Sequence, residues 1–337
     1  MRAVTLAGST GYPAQPPQLP RWGVRVLDFH AHFPHPDDAI LEGWERAYRA
    51  RFGESRLQLL RQRNEQAQRE WWHRWSFPPP EQPPAPVQEQ LRRWQAEVER
   101  FDLEGIVFVT GGGNDALAAL VATHPRFYGF AHHDPFRPDA ARELRRAVNE
   151  LGLKGYKILG PALSGPLDDP ALYPVWETAE ALGIPVLVHF GVLNGGGGVG
   201  NHVNINPLIL HDVAKAFPTV PFVVPHFGCG YPKELLQLCW TCENVYVDTS
   251  GNNEWIRWMI PELTLEDLFR RFRETVGPRR IVFGSDSSHF PRGFAVRYLE
   301  EQLRACRNVG FREDELALVF ADNARRLLRL EEVRTGG

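Results

Sequence analysis

Two histidines one residue apart close an apolar run in VRVLDFHAHFP, residues 24–34. Side chains at i and i+2 of a β-strand share a face, so Asp28, His30 and His32 line one side of such a strand. Two imidazoles on one face are able to grip one metal ion, although two unrelated polar residues at a loop give the same pattern. Reactive side chains recur at comparable places downstream. His189 lies in PVLVHFG, His226 in PFVVPHFG and Asp286 in IVFGSDS, while Lys157 lies in GYKILGP and FYGFAHH ends in His132 and His133. Histidine makes up only 12 of 337 residues. Its return at the ends of the first, fifth and sixth apolar runs therefore argues for a shared site over accident.

The elements that would position these groups follow a regular order. Eight short β-branched runs are expected as strands, at 24–30, 105–111, 127–133, 155–161, 185–191, 221–228, 245–250 and 281–287. Between them lie segments such as NDALAALVATH and PDAARELRRAVNEL, whose apolar residues recur at helical spacing. Alternation of buried strand and helix implies parallel pairing. An open doubly wound sheet rarely needs eight such units, so a closed α/β (β/α)8 TIM barrel is expected over residues 24–331, with its working face at the strand C-termini. Closure would bring residues 30, 32, 189, 226 and 286 to one place. Residues 1–23 read as a Pro-rich arm. Residues 38–102 break the rhythm with long charged helices around SFPPPEQPPAPV and read as an inserted helical cap. Trp71, Trp72 and Trp75 would wall a pocket there or, more simply, pack the cap on the barrel.

Composition narrows the function. A net charge of −3 argues against nucleic acid or an anionic membrane as partner. No run approaches the roughly 18 apolar residues of a membrane span, and the start has no secretory apolar core. Four cysteines are too few for a disulfide scaffold. Cys239 and Cys242 read as small buried residues rather than a redox or zinc pair. A cytoplasmic enzyme acting on a small molecule is the expectation, with a homodimer left open. NGGGGVGN at 194–201 lacks the Lys-Ser/Thr of a phosphate loop and reads as a mobile loop above the site. His202, just after it, and His132 and His133 are weaker candidates for substrate contact. Asp28 and Asp248 are candidates to orient a ligand imidazole.

D-x-H-x-H at 28–32, the histidines of VLVHFG and VVPHFG, YVDTSG at 246–251, FGSD at 283–286 and NARRLL at 323–328 occur in an order that resembles the amidohydrolase superfamily. The resemblance is to its amidohydrolase-related branch, which includes aminocarboxymuconate-semialdehyde decarboxylase and other aromatic acid decarboxylases alongside hydrolases. It implies a metal, usually zinc, held by His30, His32, His189 and Asp286, with a position open for water. Metal binding would lower that water's pKa toward about 7. Asp286 would then move the proton, and His226 would polarise the substrate or donate a proton. In binuclear relatives His226 and a carboxylated lysine at the place of Lys157 bind a second ion. The other reading of Lys157 is contact with a substrate anion or support of a ligand, and one ion is expected rather than two. Hydrolysis of an ester, lactone or amide is the first expectation, and non-oxidative decarboxylation of an aromatic or unsaturated carboxylic acid is the second. A zinc-stabilised binding protein without activity is the third.

Overall fold

Runs such as Ile106-Val107-Phe108-Val109 bury side chains of both parities, the pattern of a strand covered on both faces. In the computed structural model, which describes residues 21–36, 42–74, 77–193 and 201–330, eight such runs form parallel strands. They are β1 (Leu27–His32), β2 (Gly105–Thr110), β3 (Phe127–Gly129), β4 (Tyr156–Leu159), β5 (Val186–His189), β6 (Phe222–Val224), β7 (Val245–Asp248) and β8 (Ile281–Val282). Neighbours pair in chain order, β1 to β3 and β4 to β8.

Two seams close the ring. Between β3 and β4, Ala131 N donates to Gly155 O at 2.8 Å and Lys157 N to Ala131 O at 2.7 Å. Between β8 and β1, Asp286 N donates to His30 O at 2.8 Å and His32 N to Ser287 O at 2.7 Å. The protein is thus a (β/α)8 TIM barrel. The eighth strand is regular over only two residues, yet its backbone runs on beside β1 as far as Ser287. Gly284 permits this approach, because a Cβ there would lie 2.7 Å from Asp248 Oδ1 and 2.8 Å from His30 Cβ.

Helices follow the strands. After β1 come α1 (Glu42–Phe52), α2 (Glu54–Arg74) and α3 (Val87–Arg100), and after β2 and β3 come α4 (Asn114–Val121) and α5 (Ala140–Asn149). Next are α6 (Tyr173–Leu182), α7 (His211–Ala216), α8 (Pro232–Thr241) and α9 (Leu265–Val276), which a Thr264–Asp267 capping box starts. The chain ends with α10 (Val296–Asn308), α11 (Glu313–Ala317) and α12 (Asn323–Leu327). Asn323 Nδ2 donates to the carbonyls of Pro278 and Ile281, both at 2.7 Å, so the NARRLL segment ties the final helix to β8.

Among the described residues of the insertion, only α3 carries a broad buried face, through Gln90, Leu91, Trp94 and Val98. The Trp94 ring lies 5.3 Å from Phe108 and 5.4 Å from Phe290. α1 buries none of its residues and α2 only Leu57. The segment between α2 and α3 is pinned to the loop after β8, where His289 Nε2 lies 3.0 Å from Pro78 O and Glu81 N donates to Phe290 O at 3.0 Å. Trp71 packs on Phe77 at 4.9 Å and Trp72 approaches His289 at 6.4 Å, so both serve packing. Trp75, the arm up to residue 20 and residues 194–200 lie outside the described residues. All four cysteines are free, with Cys239 and Cys242 buried. Among the described residues no helix is long and apolar enough to cross a membrane.

Candidate metal centre

β1 delivers His30 and His32 to the mouth of the barrel. Each ring is held through its Nδ1. His30 Nδ1 lies 2.6 Å from Asp248 Oδ2, with both side chains fully buried. His32 Nδ1 lies 2.8 Å from Thr110 Oγ1 at the end of β2. Asp248 is itself fixed, since its Oδ1 accepts from Ser250 N at 2.7 Å. A carboxylate accepts but does not donate, so the Asp248 contact puts the His30 hydrogen on Nδ1 and leaves Nε2 with its lone pair. Burial, with Lys157 and His32 adding to it, holds His30 well below the usual imidazole range and hence neutral.

The two Nε2 atoms are 3.2 Å apart. Asp286 Oδ1 lies 3.3 Å from that of His32 and 3.9 Å from that of His30. Donor atoms of these three residues all fall within 4.8 Å of one another. Enclosure raises the Asp286 carboxyl, but the His32 hydrogen bond and the imidazoles of His226, His32 and His30 outweigh it and hold the group well below the usual carboxylate range. A His30 lone pair and an ionised carboxylate this close together suit a cation between them, with His32 Nε2 as a further donor atom once its hydrogen is displaced. Two imidazoles and a carboxylate fit a divalent transition metal.

His226 and His189 stand beside the trio. The His226 ring centroid is 5.2 Å from that of His30 and 5.0 Å from that of His189. Its Nδ1 lies 3.0 Å from the Ser250 carbonyl, which fixes the hydrogen there and leaves Nε2 as an acceptor. The backbone is left-handed at His226, Phe227 and Cys229, with φ of 57°, 49° and 45°, and at Asp286, with φ of 53°. Non-glycine residues in that region concentrate at functional sites. His189, 8% exposed, turns Nε2 toward Val192 O at 3.2 Å and keeps Nδ1 for another partner. Lys157, buried on β4, places Nζ 3.3 Å from His30 Nε2.

The remaining candidates are engaged elsewhere. His132 Nε2 accepts from Gly111 N at 3.2 Å and Gly113 N at 3.0 Å, holding the turn after β2. His133 bonds Asn114 Nδ2 at 3.2 Å and Ala140 O at 3.0 Å, and burial lowers it to about 4. His202 is exposed in a short 3-10 turn. Asp28 accepts from His30 N at 3.1 Å and Ser285 N at 2.9 Å, so it braces the seam between β1 and β8 rather than an imidazole. Its burial raises it to about 7. Thr110 and Ser250 escaped the sequence reading. Thr110 stands at a strand C-terminus, and Ser250 is two residues past Asp248 in the same phase.

A cleft of about 280 Å³ opens between these strand ends and α1, with Thr110, His132, His133 and Lys157 on the barrel side and Arg46 on the other. A family model described as Amidohydrolase matches residues 27–330. Among curated proteins, 2-amino-3-carboxymuconate-6-semialdehyde decarboxylase of Dictyostelium discoideum is 38% identical over 78 residues, which is 23% of this chain and 22% of that protein. Gamma-resorcylate decarboxylase of Polaromonas sp. is 42% identical over 84 residues, 23% of this chain and 26% of that protein. The chain thus aligns with about a quarter of the length of these relatives. In fold it is similar to 5-carboxyvanillate decarboxylase from Novosphingobium aromaticivorans, solved with manganese and 4-hydroxy-3-methoxy-5-nitrobenzoic acid. That likeness has a TM-score of 0.60 at 16% identity over 92% of this chain and 97% of that one.

Proposed function

The chain belongs to the amidohydrolase family, and from that premise we propose that it is a metal-dependent, non-oxidative decarboxylase of a small aromatic or unsaturated carboxylic acid. The observation that carries the proposal is the trio of His30, His32 and Asp286 behind a cleft that Thr110 and Lys157 line, in a chain whose aligned relatives are mostly named as decarboxylases, beside one named as a hydratase. Hydrolysis of an ester, lactone or amide, the first expectation from sequence, is the less favoured reading for the same reason.

His30, His32 and Asp286 would hold one divalent ion, with His189 beside them, and Zn2+ and Mn2+ both suit such donors. The bound ion supplies Lewis acidity toward the acidic oxygens of the substrate. Asp248 keeps the His30 ring in the tautomer that leaves Nε2 free, and Thr110 holds the His32 ring in place. Loss of carbon dioxide leaves the electron pair of the broken C–C bond on the substrate carbon, which then takes up a proton. His226, with Nδ1 fixed on the Ser250 carbonyl, offers Nε2 to carry that proton. Asp286, held anionic, accepts a proton from a substrate hydroxyl. Residues 38–102 act as a cap, with α1 closing the outer side of the cleft, and the free cysteines suit a cytoplasmic location.

The test is a panel of 2-hydroxybenzoates and unsaturated dicarboxylic acids offered to metal-loaded protein, with carbon dioxide as the readout. Release should stop with chelator, return with Zn2+ or Mn2+, and be lost in His30→Ala. Turnover of esters, lactones or amides without carbon dioxide from any acid would overturn the proposal.

A further inference from the structure

We propose that Lys157 is the anchor for the substrate's carboxylate, and that it selects an ionised acid over neutral analogues of the same shape. This rests on the decarboxylase reading and names the substrate charge that the site requires.

Lys157 is 3% exposed and held on β4 between its neighbours on both sides, and its side chain lines the cleft. Two other cations line that cleft, and both are already paired: Arg46 with Asp134 at 3.6 Å and Arg137 with Asp139 at 3.1 Å. Among the described residues Lys157 Nζ makes no ion pair, and its hydrogen-bond partner is His30 Nε2 at 3.3 Å. That lone pair is the one an ion would take from His30. Loading the site therefore strips a buried N–H donor of its acceptor on the wall of the cleft. An unmade buried hydrogen bond is costly, and an ionised acceptor restores it more strongly than a neutral one. A carboxylate has the required chemistry, whereas an amide or ester offers only a neutral carbonyl.

Isothermal titration calorimetry of the metal-loaded full chain with 2-hydroxybenzoate and 2-hydroxybenzamide reads binding and does not require turnover, so a failure to release carbon dioxide elsewhere leaves its outcome readable. The acid should bind about 10- to 100-fold more tightly than the amide. Lys157→Met should keep one metal per chain yet bring the two ligands within about threefold of each other, with Lys157→Gln, which retains N–H donors, in between. Equal binding by the wild-type chain, no binding of either ligand, or an undiminished preference in metal-loaded Lys157→Met would overturn the assignment. So would two ions per chain falling to one in that variant, since Lys157 would then be a metal bridge. A crystal structure of the wild-type chain with 2-hydroxybenzoate decides the matter even if the variants misfold. A carboxylate oxygen within hydrogen-bond distance of Nζ supports the anchor, and a carboxylate turned away from it refutes it.

Discussion

Replacing Asp248 by asparagine changes one atom and leaves no arrangement that satisfies both of its partners. One carboxylate oxygen accepts from His30 Nδ1 at 2.6 Å and the other from Ser250 N at 2.7 Å. An asparagine that keeps its oxygen toward Ser250 points an NH2 at a protonated Nδ1. His30 must then move its hydrogen to Nε2, the atom that would bind metal. The flipped amide rescues His30 but sets two donors face to face at Ser250. Either way one charge-assisted hydrogen bond is lost, about 1.5–3 kcal/mol in a fully buried setting. Expressed through metal affinity, this is about 10- to 150-fold. Competition against a chromogenic chelator, with Zn2+ and again with Mn2+, measures it directly, and circular dichroism checks that the barrel is intact. A dissociation constant within about threefold of wild type would refute the tautomer argument, and with it the assignment of His30 Nε2 as a ligand atom.

Other expectations follow from the same contacts. Trp94→Ala should cost about 3–5 kcal/mol in urea unfolding, because it empties the space between Phe108 and Phe290. Trp94→Phe should cost much less, since the buried indole N–H has no partner among the described residues. His133 should make stability fall with acid. Its imidazole is lowered from 6.5 to about 4 in the fold, so the unfolded chain binds more protons between those values. This contribution is complete above pH 6.5 and lost on descent to about pH 4, on the order of 3 kcal/mol, and urea midpoints at pH 7 and 4.5 should show His133→Gln with a flatter dependence. Free ion at about 100 times its dissociation constant should add about 2.7 kcal/mol of stability, and a melting temperature indifferent to chelator would refute a preformed site.

The barrel was legible because each strand is a short buried run and each helix an amphipathic one, so the two periodicities alternate visibly along the chain. His30, His32 and Asp286 were legible for a related reason: a strand C-terminus is a marked place in sequence. Strand ends blur where side chains do other work. β8 stops being regular at Val282 because Gly284 and Asp286 bend it against β1, which a propensity for extended structure does not reveal. His132 and His133 also stand at a strand end, yet they bond the turn after β2 and the start of α5. Most of their partners are backbone groups, which every sequence contains and none advertises. Asp28 and Asp248 looked alike as candidates. Only the register across the closed ring separates them, sending one to Ser285 and the other to His30.

The seam between β8 and β1 joins the last strand of the barrel to the first, and the proposed ligands straddle it. A nascent chain still short of residue 286 already holds both imidazoles but has no carboxylate to complete them. If these three residues hold the ion as proposed, its capture by all three waits until the last strand has docked on the first.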